Sequence, residues 1–208
     1  MSIGRLASTA SYATSNSPTF TGTVTMSGAT VIGAGMDLIT PTSVAGSGVT
    51  VSGGLVTFTA ASTVSVNGCF TSTYDNYRVV AAFVTSSNTL QMNLRYRVGG
   101  TDNTGATSYS IRGGDQGAFG SIGADGNTFP ILSGYTGGNF LTMDSLNPFA
   151  SQYTQGGFNT MSATVAVAAA ARFGSLVHTS TTSFDGFTIY IASGTFTGTL
   201  RVYGYRNS

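Results

Sequence analysis

The chain has 208 residues, enough for one domain with a sizeable core, or a domain carrying an arm, and too few for two large ones. Charged residues make up 7% of it, against roughly 25% in ordinary soluble proteins. A formal net charge of +1 sets up no field for phosphate backbones or acidic lipid, which argues against nucleic-acid and membrane-surface binding.

Residues 1–17 are mostly Ser, Thr and Ala, with only Ile3, Leu6 and Tyr12 as large apolar side chains. Such a segment cannot bury enough surface to fold alone, so it is either flexible or ordered by docking. It lacks the continuous apolar core of a signal peptide, and no run in the chain approaches 18 apolar residues. Synthesis in a cytoplasm and no membrane insertion are the expectations.

Residues 16–35 carry short Thr/Val runs punctuated by Gly22, Gly28, Gly33 and Gly35. A two-stranded ribbon of this kind is marginal alone. Three copies wound together would bury Phe20, Val24, Met26, Val31 and Ile32 along a common axis, the predicted trimerisation shaft. Residues 36–48, with Pro41 and the small residues that follow, read as a linker. The predicted division is thus an arm, shaft and linker over 1–50 and a head domain over 51–208.

Residues 55–59 and 63–66 read as short strands. Cys69, the one cysteine, cannot form an intrachain disulfide, and with no neighbouring cation to activate it reads as a small buried residue beside Phe70. The clearest element is residues 90–98, LQMNLRYRV, where Leu90, Met92, Leu94, Tyr96 and Val98 alternate with polar residues. A period of two over nine residues demands a strand with one buried face. Residues 77–84 and 109–112 read as its partners, and Gly99-Gly100 as a turn.

Residues 113–158 are rich in glycine and aromatics, with Pro130 and Pro148. Aromatics in such loops read mainly as core plugs. The alternative is a sugar-binding surface, with Phe119 and Tyr135 stacking on sugar faces and Asp115, Asp125, Asn127 and Asn139 bonding hydroxyls. Residues 166–171, AVAAAA, could form a helical turn or two, but because they follow 161–167, where Met161, Ala163, Val165 and Val167 alternate, a buried strand is the expectation. Residues 186–192 and 199–205 predict two closing strands.

The chain contains no Lys and no Glu; its ions are Arg and Asp. Losing two good helix formers beside abundant Thr, Ser, Val, Tyr and Phe predicts an all-β protein. Near-zero net charge and a mean hydropathy of +0.18 leave a lone copy prone to associate, so an obligate homo-oligomer is expected.

Catalytic constellations are missing: without Lys there is no phosphate-binding P-loop or Schiff base, and a lone His178 cannot build a zinc site. His178 reads as a strand residue, not as a dyad with Asp185. Asp115 with Asp125 or Asp144 would be a formal glycosidase pair, and Asp125 with Asn127 a formal calcium site. Asp102, Asp125 and Asp185, each before Asn or Gly, read instead as turn formers. No enzyme activity and no cofactor are expected.

Residues 18–25, PTFTGTVT, preceded by Asn16 and Ser17, resemble the NPTFTGT repeat in the shafts and connecting segments of bacteriophage tail fibres. The repeat occurs once, and residues 49–59 are only loosely similar, which favours a short fibre or capsid-attached spike over a long shaft. Further on, Tyr-x-x-Tyr-Arg-Val-Val over 74–80, Asn-x-Arg-Tyr over 93–96 and Gly-Thr-Leu-Arg-Val-Tyr-Gly-Tyr over 198–205 are similar to the C-terminal sandwich domains of tail-fibre and head-decoration proteins. The resemblance implies a jelly-roll-like β-sandwich head on a homotrimeric virion protein. Its arm would dock on a tail adaptor or the major capsid protein, and its head would contact a host surface polysaccharide. A capsid decoration protein is the alternative within that family, and a free carbohydrate-binding module the alternative outside it.

Overall fold

The computed structural model describes residues 35–87, 90–115, 120–163 and 170–207. Residues 34–208 form one compact unit. The predicted arm and shaft, with Phe20, Val24, Met26, Val31 and Ile32, lie outside the described residues, as do Phe119, Val165 and Val167.

Among the described residues there are sixteen strands and no helix. The first six are β1 (Met36–Ile39), β2 (Ser43–Ala45), β3 (Val49–Ser52), β4 (Leu55–Ala61), β5 (Thr63–Asn67) and β6 (Asn76–Thr85). There follow β7 (Leu90–Val98), β8 (Thr101–Asp102), β9 (Tyr109–Asp115), β10 (Gly120–Gly126) and β11 (Phe129–Gly134). The chain ends with β12 (Asn139–Leu146), β13 (Thr154–Ser162), β14 (Ala170–His178), β15 (Gly186–Ile191) and β16 (Phe196–Tyr205).

These strands build two antiparallel sheets. The larger runs β10-β9-β14-β13-β12-β6-β16-β4-β3, with β1 also on β16; the smaller runs β11-β7-β15-β5-β2, with β8 on β7. The all-β sandwich expected from the composition is therefore the fold this chain adopts. Alternation drives it: on β6, Tyr77, Val79, Ala81, Phe83 and Thr85 are buried and the residues between them are not. On β12, Asn139, Leu141, Met143 and Ser145 repeat that pattern in register.

Aromatic rings fill the space between the sheets. Phe70 packs on Tyr77 at 4.8 Å between centroids and on Phe187 at 5.8 Å, and Tyr96 stacks on Phe184 at 5.1 Å. Each side chain of this size removed from water contributes about 1.5–3 kcal/mol, so this cluster dominates the stability of the head. Cys69 is fully buried within the same core, as expected, and burial pushes its thiol far up.

Two hairpins turn on paired glycines. Gly53-Gly54 joins β3 to β4 and Gly99-Gly100 joins β7 to β8, all four with positive φ, the geometry of a two-residue turn whose twist matches its strands.

The structure departs from the sequence reading in five places. Residues 36–48 are not a linker: β1 pairs with β16 and β2 with β5, since Ile39 and Val44 pack against the core and their strands have sheet partners to join. The partners of β7 are β15 and β11, not β6 and β9, which lie in the opposite sheet because the chain crosses the sandwich on either side of β7. Within β7 itself Met92, Leu94 and Tyr96 are buried as read, but Val98 at the turn is exposed. Residues 113–158 hold strands where loops were expected, their glycines sitting at close backbone approaches between neighbouring strands. On β13 the phase is opposite to the expectation: Thr160 and Ser162 face the core while Met161 and Ala163 are exposed, because Phe158 sets the inward register.

The aspartates read as turn formers also do more than terminate strands. Arg97 donates to Asp102, to the Gly100 carbonyl, to Thr188 at 2.7 Å, to Ser65 at 3.0 Å and to Asn67 at 2.9 Å. This knot ties β5, β7, β8 and β15 together across the small sheet. Asn103 keeps the local role, accepting from the Gly105 N–H at 3.2 Å.

Candidate functional site

At one end of the sandwich, three connections meet: residues 68–75 between β5 and β6, 147–153 between β12 and β13, and 179–185 between β14 and β15. Backbone bonds lock them to one another. Asn147 N–H donates to the Asp75 carbonyl at 2.8 Å and Phe184 N–H to the Pro148 carbonyl at 2.7 Å, while Cys69 and Phe70 both donate to the Asp185 carbonyl. Loops held this way present their side chains from a fixed platform.

Asn147 is the pivot. It stands in the left-handed region with φ of 54°, a conformation asparagine tolerates better than most residues, and the Asn-Pro dipeptide marks the turn. On one side of it lies a cleft of about 470 Å³ lined by Leu146, Ser151, Gln152, Tyr153, Gln155 and Thr181. On the other side is a cleft of about 230 Å³ lined by Thr71, Ser72, Tyr74, Asp75, Phe149 and Ala150.

Tyr153 is 53% and Phe149 37% exposed, so both clefts are bordered by aromatic rings offered to solvent. Around the rings stand side-chain amides and hydroxyls, and no arginine lines either cleft. Tyr74 is anchored from behind: its hydroxyl donates to Asp37 Oδ2 at 2.8 Å, a bond that raises its pKa. Its ring lies so close over Gly204 that a Cβ there would meet it at 2.5 Å. The second cleft also carries the Asp75 carboxylate, and flat apolar faces beside such donors and acceptors are what a sugar ring needs, with its C–H faces to stack and hydroxyls to bond.

Of the six residues predicted to contact glycan, the five that are described are not gathered into one surface. Asp115 and Asp125 sit at opposite ends of the β9–β10 hairpin, the first opposite Gly120 and the second opposite Ser110. Both Asp125 oxygens accept from Arg112, at 3.0 and 2.9 Å, and these bonds hold its carboxyl down at about 2. Asn127 is exposed nearby, and its carbonyl accepts from Arg95 at 3.0 Å. Tyr135 and Asn139 do meet, but as a turn: Asn139 is buried, accepting from the Tyr135 N–H at 2.8 Å and donating to the carbonyls of Tyr135 and Phe83. Phe119 lies outside the described residues.

Asp144 is likewise occupied. Burial raises its carboxyl, but two bonds from Arg78 and one from the Tyr205 hydroxyl more than offset this and hold it below the usual carboxylate range. Neither formal carboxylate pair is therefore set up for acid–base work. Among the described residues no cluster of three or more metal-ligating side chains occurs.

His178 ends β14 inside the core. Tyr96, Tyr109 and Phe184 wall its ring, and its Nδ1 accepts from the Ser180 N–H at 3.2 Å. Burial drives its pKa down to about 4, so the ring is neutral under ordinary conditions. Asp185 Oδ2 accepts from the Gly99 N–H, so the two residues make no catalytic dyad.

Sequence reasoning read the aromatics of residues 113–158 mainly as core plugs and did not connect Phe149 and Tyr153 to Tyr74 and Asp75, some 75 residues earlier. The turn signal at Asn147-Pro148 was present, but the meeting of three distant connections is a property of topology.

No protein-family model matches the chain, and no curated protein is similar to it. Among solved structures, the chain has a likeness to the SPRY domain of human HERC1, at 14% identity and a TM-score of 0.35, over 84% of this chain and all of that one.

Proposed function

We propose that this chain is a bacteriophage virion protein, a short trimeric tail fibre whose β-sandwich head touches the host surface through the loop end around Asn147. The observation that carries the reading is the fibre-like PTFTGTVT segment at residues 18–25, followed in the same chain by an all-β head. The exposed rings of Tyr153 and Phe149 beside amides, hydroxyls and the Asp75 carboxylate support the second half of it, contact with a surface polysaccharide.

Copy number tests the reading directly. A quantified gel of purified particles should show this chain at a few trimers per tail. Hundreds of copies per particle would exclude a tail fibre and point to capsid decoration, and absence from particles would overturn the viral assignment. Light scattering on the purified chain should report three protomers, whereas a clean single-chain mass at micromolar concentration would overturn the trimer.

A further inference from the structure

We propose that the outer face of the large sheet is a contact surface between copies of this head. The proposal stands on sheet geometry and holds whether or not the chain belongs to a virus. On β6, β12, β13 and β14 the side chains that alternate away from the core include Val84, Phe140, Met161 and Phe173, which are 43%, 42%, 51% and 50% exposed. The register aligns them: Phe140 lies opposite Ala82 on one side and Met161 on the other, and Met161 lies opposite Ala171. Phe173 stands in the next row, opposite Asn159. Four adjacent strands thus present an apolar band on a surface that alternation should make polar, and a band of this kind marks an interaction site.

The occupant best suited to it is the same face of the other copies, three such faces turned to a common axis in a trimer. The acid–base pairs bordering the band are already closed within the chain, Arg78 with Asp144 and Arg112 with Asp125, each through two hydrogen bonds. Arg201, on β16 opposite Val80, flanks the band. The face therefore has little charge to draw an ionic partner and little to repel its own kind. Its anatomy is that of an interface: Phe and Met at the centre, arginine pairs and threonines at the rim.

Size agrees. Nine strands side by side at about 4.8 Å, each about six residues long at about 3.4 Å per residue, give a face of about 800 Å². The apolar band covers the four central strands of that face, and only with the flanking strands as its rim does it reach the roughly 800 Å² that each partner of a stable interface contributes. Relief is present too: hollows of about 290 Å³ beside Phe140 and Met161, and of about 470 Å³ beside Phe173, offer seats for a neighbour's rings.

Methionine oxidation tests this on the purified full chain. Met161 is half exposed in the single head, whereas Met92 and Met143 are fully buried and report whether the fold is intact. Peroxide treatment followed by peptide mass spectrometry should find Met161 protected in the assembled protein. It should oxidise several-fold faster in the Phe140→Asp, Phe173→Asp double variant, with Met92 and Met143 still protected. If that variant loses core protection, Phe140→Ser alone serves instead. Equal Met161 rates in wild type and a folded variant would overturn the proposal. So would protection of Met161 that survives dilution to single chains, since it would then come from the chain itself.

Discussion

The ring of His178 stands edge-on to that of Tyr109, with centroids 4.4 Å apart and planes at 86°. The imidazole is held among aromatic neighbours that offer its charged form nothing, and Nε2 has no hydrogen-bond partner among the described residues. Its opposite residue on β13, Thr154, also keeps an unpartnered hydroxyl there.

Acid should therefore weaken the head in two stages. The folded His178 pKa of about 4 lies below the ordinary 6.5, so between those values the unfolded chain binds a proton that the folded one refuses. Stability is full above about pH 6.5 and falls as pH drops towards 4, by at most ~3 kcal/mol. The carboxyls of Asp37, Asp125 and Asp144, held low by their partners, add a second loss below their ordinary 3.8. Urea unfolding at pH 7.5 and 4.5 should show the first stage, and His178→Phe should flatten it. An unchanged pH slope in that variant would assign the loss elsewhere.

Removing Arg97 should be among the most damaging single changes in the small sheet. Its side chain is only 11% exposed, and truncation leaves the Asp102 carboxylate without its countercharge, held by Thr188 alone, while Ser65 and Thr188 keep only their bond to each other. Arg97→Ala should cost about 3 kcal/mol. Adding Asp102→Ala should cost far less than the sum of the two single losses, because the stranded charge disappears. Denaturant midpoints for the four proteins of the cycle measure this directly.

A smaller effect is expected from Tyr96→Phe. The hydroxyl shares a 2.9 Å hydrogen bond with Ser145, which is fully buried on β12 and so joins the two sheets. Losing it leaves the serine unpaired at a cost of about 1–3 kcal/mol. The Ser145→Ala, Tyr96→Phe double variant should recover part of that loss in a thermal melt.

At the loop end, Tyr153→Ala with Phe149→Ala should abolish adsorption to host cells while leaving the melting temperature unchanged, since both rings face solvent. Retained adsorption would move the receptor contact off this surface. Asp75→Asn should change adsorption little for a neutral polysaccharide. A large gain would mark an acidic one.

Alternation made the strands legible, and topology hid which of them meet. The period of two over residues 90–98 is a local property, so β7 could be read from nine letters. Its partners β11 and β15 depend on where the chain crosses between sheets, which no local pattern encodes. Phase fails for a related reason: β13 carries Phe158 and Met161 on opposite faces, and an apolar residue on either face satisfies the same pattern. The candidate site was the least legible, because Tyr74, Asn147 and Thr181 become neighbours only after β6, β13 and β14 have paired.

β16, made long after β6, is among the most central strands. β16 lies between β6 and β4, its Leu200 opposite Ala81 on one side and Val56 on the other. From the moment the ribosome releases Thr85 until Tyr205 emerges, on the order of ten seconds at ordinary translation rates, one flank of β6 waits with bare backbone groups. The growing polypeptide thus carries an open pairing edge on β6 until that later segment closes it.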